Sequence, residues 1–144
     1  MILYWSNAIG KLFQAKFLLY DKDTKLVCKN KNTVPRDSGI FRSPEEYAQN
    51  RLDDKCDIYC FGNSIFMILT GTFPWREIRN DFEVHKRVLA GDRPMLPHKI
   101  TESTDPYVQI MVKVMKMSQQ QDSSKRPSAR EIATMFQKVL DKYS

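Results

Sequence analysis

The stretch from Asp53 to Thr70 constrains this chain more than any other. It carries Ile58, Phe61, Ile65, Phe66, Ile68 and Leu69. At 100° per residue these cover more than one face of a helix. A helix that is apolar nearly all round belongs in the centre of a domain, with neighbours on several sides. Gly71 supplies its stop. The 144 residues are enough for one domain around a single core.

The flanking segments read as further helices. Ser43-Pro44-Glu45-Glu46 has the form of a helix start: a Ser cap, Pro at the first helical position, and acids near the positive end of the dipole. Asp81 to Ala90 places Phe82, Val84, Val88 and Leu89 on a short amphipathic helix closed by Gly91. Pro94 and Pro97 break the next stretch. Asp105-Pro106 opens a helix with Ile110, Met111, Val114 and Met115 on one face. Ser128 to Tyr143 is the last helix, with Ile132, Met135, Phe136, Val139 and Leu140 facing inward and Glu131 at N3 of a capping box. Upstream, the apolar runs 15–20 and 25–28 flank a polar turn, Asp21 to Thr24, and predict a β-hairpin. Residues 29–43 are polar and read as an extended loop. The expectation is a mainly α chain: one short N-terminal hairpin, then about five helices.

No apolar run approaches the roughly 20 residues that span a bilayer. Met1 to Gly10 is apolar but has no basic n-region and no small-residue cleavage site, so it does not read as a signal peptide. Cys28, Cys56 and Cys60 give no disulfide framework. Cys56 and Cys60 share a helix face, yet His85 and His98 stand alone and complete no metal site; free buried thiols in a reducing cytoplasm or nucleus are expected. The net charge of +6 is uneven: residues 1–44 hold eight Lys/Arg against three Asp/Glu, and the remainder fifteen against fourteen. The lysines at 22, 25, 29 and 31 lie among Asp and Asn, which suits a solvated loop better than a nucleic-acid stripe.

Four segments, in order, resemble the C-terminal part of the large lobe of a eukaryotic-type protein kinase domain. Gly39-Ile40-Phe41-Arg42-Ser43-Pro44-Glu45 is similar to the end of an activation segment, with Ile40 for the usual Thr and Ser43 for the usual Ala. Asp57-Ile58-Tyr59-Cys60-Phe61-Gly62 resembles the start of the family's central helix. Leu69 to Trp75 resembles the Gly-x-x-Pro turn after that helix, and Asp122 to Ser128 the Arg-Pro segment before the last one. The resemblance covers residues 39–142 well and 15–38 loosely, and leaves 1–14 unassigned. It divides the rest into an activation-segment-like part, 15–43, and a helical subdomain, 44–144.

The resemblance implies roles. Glu45 and Arg126 would form a bidentate ion pair fastening the loop exit to the last helix. Asp57 would hold the backbone of a catalytic loop, with Gly62 marking the central helix. Gly39, Ile40, Phe41 and Arg42 would dock a substrate peptide, and Thr33 and Ser38 are candidate phosphorylation sites. The family uses ATP and Mg²⁺, held by a Gly-rich loop, a strand Lys, a base Asp and further Asp and Asn ligands. The glycines at 10, 39, 62, 71 and 91 are too far apart for that loop. His85-Lys86-Arg87 has no Asp after it, and Phe61-Gly62 follows Cys60 inside the central helix. These parts lie N-terminal to the activation segment in the family. The expectation is therefore a kinase domain that begins late, without ATP binding or catalysis of its own. A short pseudokinase-type interaction module is the alternative. The Asp57–Gly62 motif leans toward tyrosine-kinase-like branches, while serine/threonine specificity is the commoner case. Protein or peptide partners and self-association through uncovered apolar surface are also expected.

Overall fold

A computed structural model describes residues 40–50 and 52–143. Its described part is helical, with no strand among those residues. The predicted hairpin lies outside them. The elements run α1 (Pro44–Tyr47), α2 (Lys55–Thr70), α3 (Asp81–Ala90), α4 (His98–Thr101), α5 (Pro106–Ser118), a 3₁₀ turn (Ser123–Lys125) and α6 (Ala129–Tyr143).

The helix ends follow the local chemistry. Glu46 accepts from both the backbone N–H of Ser43, at 2.8 Å, and its hydroxyl, at 3.0 Å, which fixes the start of α1. Asp105 caps α5 by accepting from the N–H groups of Tyr107 and Val108. Ser128 and Glu131 close a reciprocal box at α6. Gly71 and Gly91 end α2 and α3 at φ of 68° and 94°, a left-handed geometry that favours glycine. The single turn α4 is the element that Pro94 and Pro97 obscured. Pro97 sits at its cap, outside the hydrogen-bonded turn, where a missing N–H is harmless.

α2 is the axis of the molecule. On one side Ile58, Ile65 and Phe66 pack with Val114 and Met115 of α5 and Ile132 of α6. On another, Tyr59 joins Trp75, Val84 and Val88 in a second cluster that links α2 to α3. Trp75 is a non-glycine residue at a φ of 61° and is buried. Anchoring its ring in the second cluster offsets the roughly 1 kcal/mol that a left-handed residue costs. At Gly62 α2 packs tightly against the end of α5. A Cβ built there would lie 2.9 Å from Cγ of Gln119 and 3.0 Å from Cβ of Ser118. The outward side of α2 differs: Phe61 and Ile68 are exposed.

Candidate functional site

Glu45, one residue into α1, and Arg126, just past the 3₁₀ turn, are eighty-one positions apart in sequence. The structure brings them together. Nη2 of Arg126 donates to Oε2 of Glu45 at 2.8 Å, and Nη1 donates to Oε1, a fork-on-fork geometry. The guanidinium is inaccessible and the carboxylate 12% exposed. The remaining N–H groups are used as well. Nε donates to the carbonyl of Gln120 at 2.8 Å, and Nη1 donates also to that of Lys55 at 2.8 Å. Lys55 returns the contact, its Nζ donating to the Arg126 carbonyl at 3.0 Å. Burial alone raises the Glu45 carboxyl, but the hydrogen bonds and charge of Arg126 outweigh it and hold the group below the usual carboxylate range.

Around this pair lies a second layer that the sequence did not reveal. Two guanidinium groups approach the ring of Tyr59, Arg126 at 5.1 Å and Arg93 at 5.2 Å from its centroid. Arg93 in turn donates through Nε to the Gln119 carbonyl at 2.7 Å and through Nη2 to Oε1 of Gln121 at 2.6 Å. Tyr59 was legible as a family motif residue, and nothing in the sequence singled out Arg93. No local pattern announces that a Tyr at one position will meet two arginines, one thirty-four and one sixty-seven residues later.

The loop that reaches α1 is pinned to α2. The carbonyl of Phe41 accepts from Nδ2 of Asn63 at 3.0 Å and from the thiol of Cys60 at 3.3 Å. Asn63 is buried, and Nε2 of Gln119 donates to its Oδ1 at 2.7 Å. The one sequence signal for this was a lone carboxamide inside the most apolar helix. The thiol of Cys56 donates to Oε1 of Glu45 at 3.3 Å. Ile40 packs against the second cluster, Phe41 is buried, and Arg42 is half-buried. Gly39, Ser38 and Thr33 lie outside the described residues. Asp57 occupies the first turn of α2 and is exposed. It reaches no partner among the described residues. Partial burial raises its carboxyl, and the neighbouring Asp54 charge adds to that.

Glu45, Asp53 and Cys56 bring three potential metal donors within 4.8 Å of one another. Their chemistry fits a metal poorly. Glu45 already neutralises Arg126, and burial pushes the Cys56 thiol up to about 12, which keeps it protonated.

The comparisons with known proteins accord with this architecture. Residues 18–136 match the model of the protein tyrosine and serine/threonine kinase family. Over 129 residues the chain is 27% identical to a probable LIM domain-containing serine/threonine-protein kinase of Dictyostelium discoideum, an overlap covering 90% of this chain and 12% of that protein. It is 29% identical over 92 residues to the probable serine/threonine-protein kinase WNK10 of Arabidopsis thaliana, covering 64% of this chain and 16% of the relative. To the human serine/threonine-protein kinase WNK4 it is 30% identical over 60 residues, covering 42% of this chain and 5% of the relative. The chain thus spans less than a fifth of the length of each of these relatives. With its family model matched over most of the sequence, and the central helix and loop-to-last-helix ion pair in place, the chain belongs to the protein tyrosine and serine/threonine kinase family.

Proposed function

We propose that this chain is the substrate-side scaffold of a serine/threonine protein kinase and does not bind ATP or transfer phosphate by itself. The observation that carries the reading is the Glu45–Arg126 clasp, which fastens the exit of the activation-segment-like region to the start of α2 and to the segment leading into α6. In the intact domain that region would present a protein hydroxyl to ATP, with the chain from Gly39 to Arg42 beside the docked peptide. Phosphoryl transfer rests on positioning and charge neutralisation by a Gly-rich loop, a lysine and carboxylate-held Mg²⁺. The sequence supplies none of these motifs. Serine/threonine specificity is favoured by the relatives, which are serine/threonine-protein kinases. Cytoplasm or nucleus fits the use of Cys56 and Cys60 as thiol donors. Phosphate on Thr33 or Ser38 would act on the adjoining loop.

The direct test is a thermal melt of the chain with and without Mg-ATP, paired with a radiolabelled phosphate transfer assay on a generic protein substrate. No shift and no incorporation are expected. A nucleotide-dependent rise in Tm, or label transferred by the purified chain, overturns the reading.

A pseudokinase-type interaction module is the second reading, favoured by Phe82, which is 65% exposed on α3. An ATP-independent complex that survives Mg²⁺ chelation and is lost in Phe82→Ser would support it. Self-association through the exposed side of α2 belongs to either reading.

A further inference from the structure

The connection after α3 from Gly91 to Leu96, Thr101 of α4, and the end of α5 with the residues after it line an open cleft of about 610 Å³, remote in sequence from the activation-segment-like region. That volume lies within the 300–1,000 Å³ range of ligand sites. Its floor is apolar, from Pro94, Leu96 and Met115. Met95 stands on its rim at 87% exposure, an unbranched side chain able to fold over whatever enters. The carboxamide of Gln121 in the cleft wall donates to the Leu89 carbonyl, which ties the wall to α3.

The charge of the lining has one sign. It contains Arg93 and Lys116 and no carboxylate. The ammonium of Lys116 has no ion-pair partner among the described residues. Of the nearby acids, Asp92 does not line the cleft, and Glu102 is turned to His98 at 3.6 Å. The negative end of α5 would ordinarily repel an anion here. Just beyond that end, Arg93 covers the Gln119 carbonyl and Arg126 that of Gln120, which sets two cations beside it. Three consecutive carboxamides, Gln119 to Gln121, complete the wall; their hydrogen bonds to Asn63, to the Lys116 carbonyl, and to Arg93 and the Leu89 carbonyl hold its shape.

We propose that this cleft is a docking site for a short acidic peptide segment, with one bulky apolar side chain seated on Leu96 and Met115 and a neighbouring carboxylate paired with Lys116. The apolar floor selects the anchor and the cationic rim selects its flanks. The site needs no nucleotide, so it is independent of the reading given under Proposed function.

The test uses the full 144-residue chain and a fluorescein-labelled peptide with a central Phe flanked by Glu, followed by anisotropy without ATP. Saturable binding in roughly the micromolar range is expected, weakening as salt is raised. Peptides with Lys in place of Glu, or Ala in place of Phe, should bind about tenfold more weakly. Lys116→Glu and Met95→Asp should each weaken the parent peptide about tenfold. Both positions are exposed, so circular dichroism should stay unchanged in the variants. Equal binding of the Lys-flanked peptide, undiminished binding in both variants, or no saturation overturns the proposal.

Discussion

The inner and outer faces of α2 are built from the same residue types and meet different fates. Phe66 and Phe61 are five residues apart on one helix; the first is 5% exposed and the second 41%. Ile65 is buried against α5 and α6, whereas Ile68, one turn on, is 70% exposed. The two carboxylates singled out by sequence divide in the same way. Glu45 is locked to Arg126 across the inner structure, and Asp57 heads the outer stripe beside Phe61 without a partner among the described residues. Apolar periodicity specifies which faces repay burial. It does not say which described element will cover them.

The contrast can be broken hardest at the clasp. Arg126→Met removes the cation from a buried carboxylate and strips caps from the carbonyls of Gln120 and Lys55. A loss of about 3–5 kcal/mol in urea unfolding is expected. In the parent chain the Glu45 carboxyl titrates lower when folded than when unfolded. Its contribution is therefore full above the ordinary value near 4.5 and is lost as pH falls through the lower folded value. Arg126→Met should abolish that part of the acid limb in a pH series of melts; an unaltered limb would show that Glu45 gains nothing from its partner.

A smaller loss is expected at the seam between α2 and α5. Gly62→Ala improves helix propensity by about 1 kcal/mol but forces a methyl against Gln119 and Ser118. We expect a net cost of about 1–2 kcal/mol, read as a lower urea midpoint. A gain would mean that α5 can slide away.

On the outer face the expectation reverses. Phe61→Ser with Ile68→Ser should change stability within about 1 kcal/mol and reduce concentration-dependent association in sedimentation velocity. The smallest effect belongs to Asp57→Asn, within about 0.5 kcal/mol, because the charge removed is disfavoured by partial burial and by Asp54 and has no ion pair to lose. A multi-kcal loss there would place a partner on Asp57 and make the two faces alike.

Much of this was readable before the fold was seen. Ser43-Pro44, Asp105-Pro106, Ser128 with Glu131, Gly71 and Gly91 mark helix ends through interactions within four residues, so they act before any tertiary contact forms. The turn α4 was hidden because two prolines read as breakers when one of them was a cap. Of the candidate site, the Glu45–Arg126 pair was legible through family motifs. The Arg93–Tyr59–Arg126 cluster and the Asn63–Gln119 link were not, since each needs two helices packed at one register.

The sequence by itself determined where the helices begin and end, and that α2 would be the most buried of them, because capping and periodicity are local properties of the chain. Tertiary structure alone decided which side of α2 is covered, that Gly62 packs against the end of α5 with no room for a Cβ, and that two arginines close on one tyrosine. Those outcomes depend on distances between segments tens of residues apart, which packing fixes and local propensity does not encode.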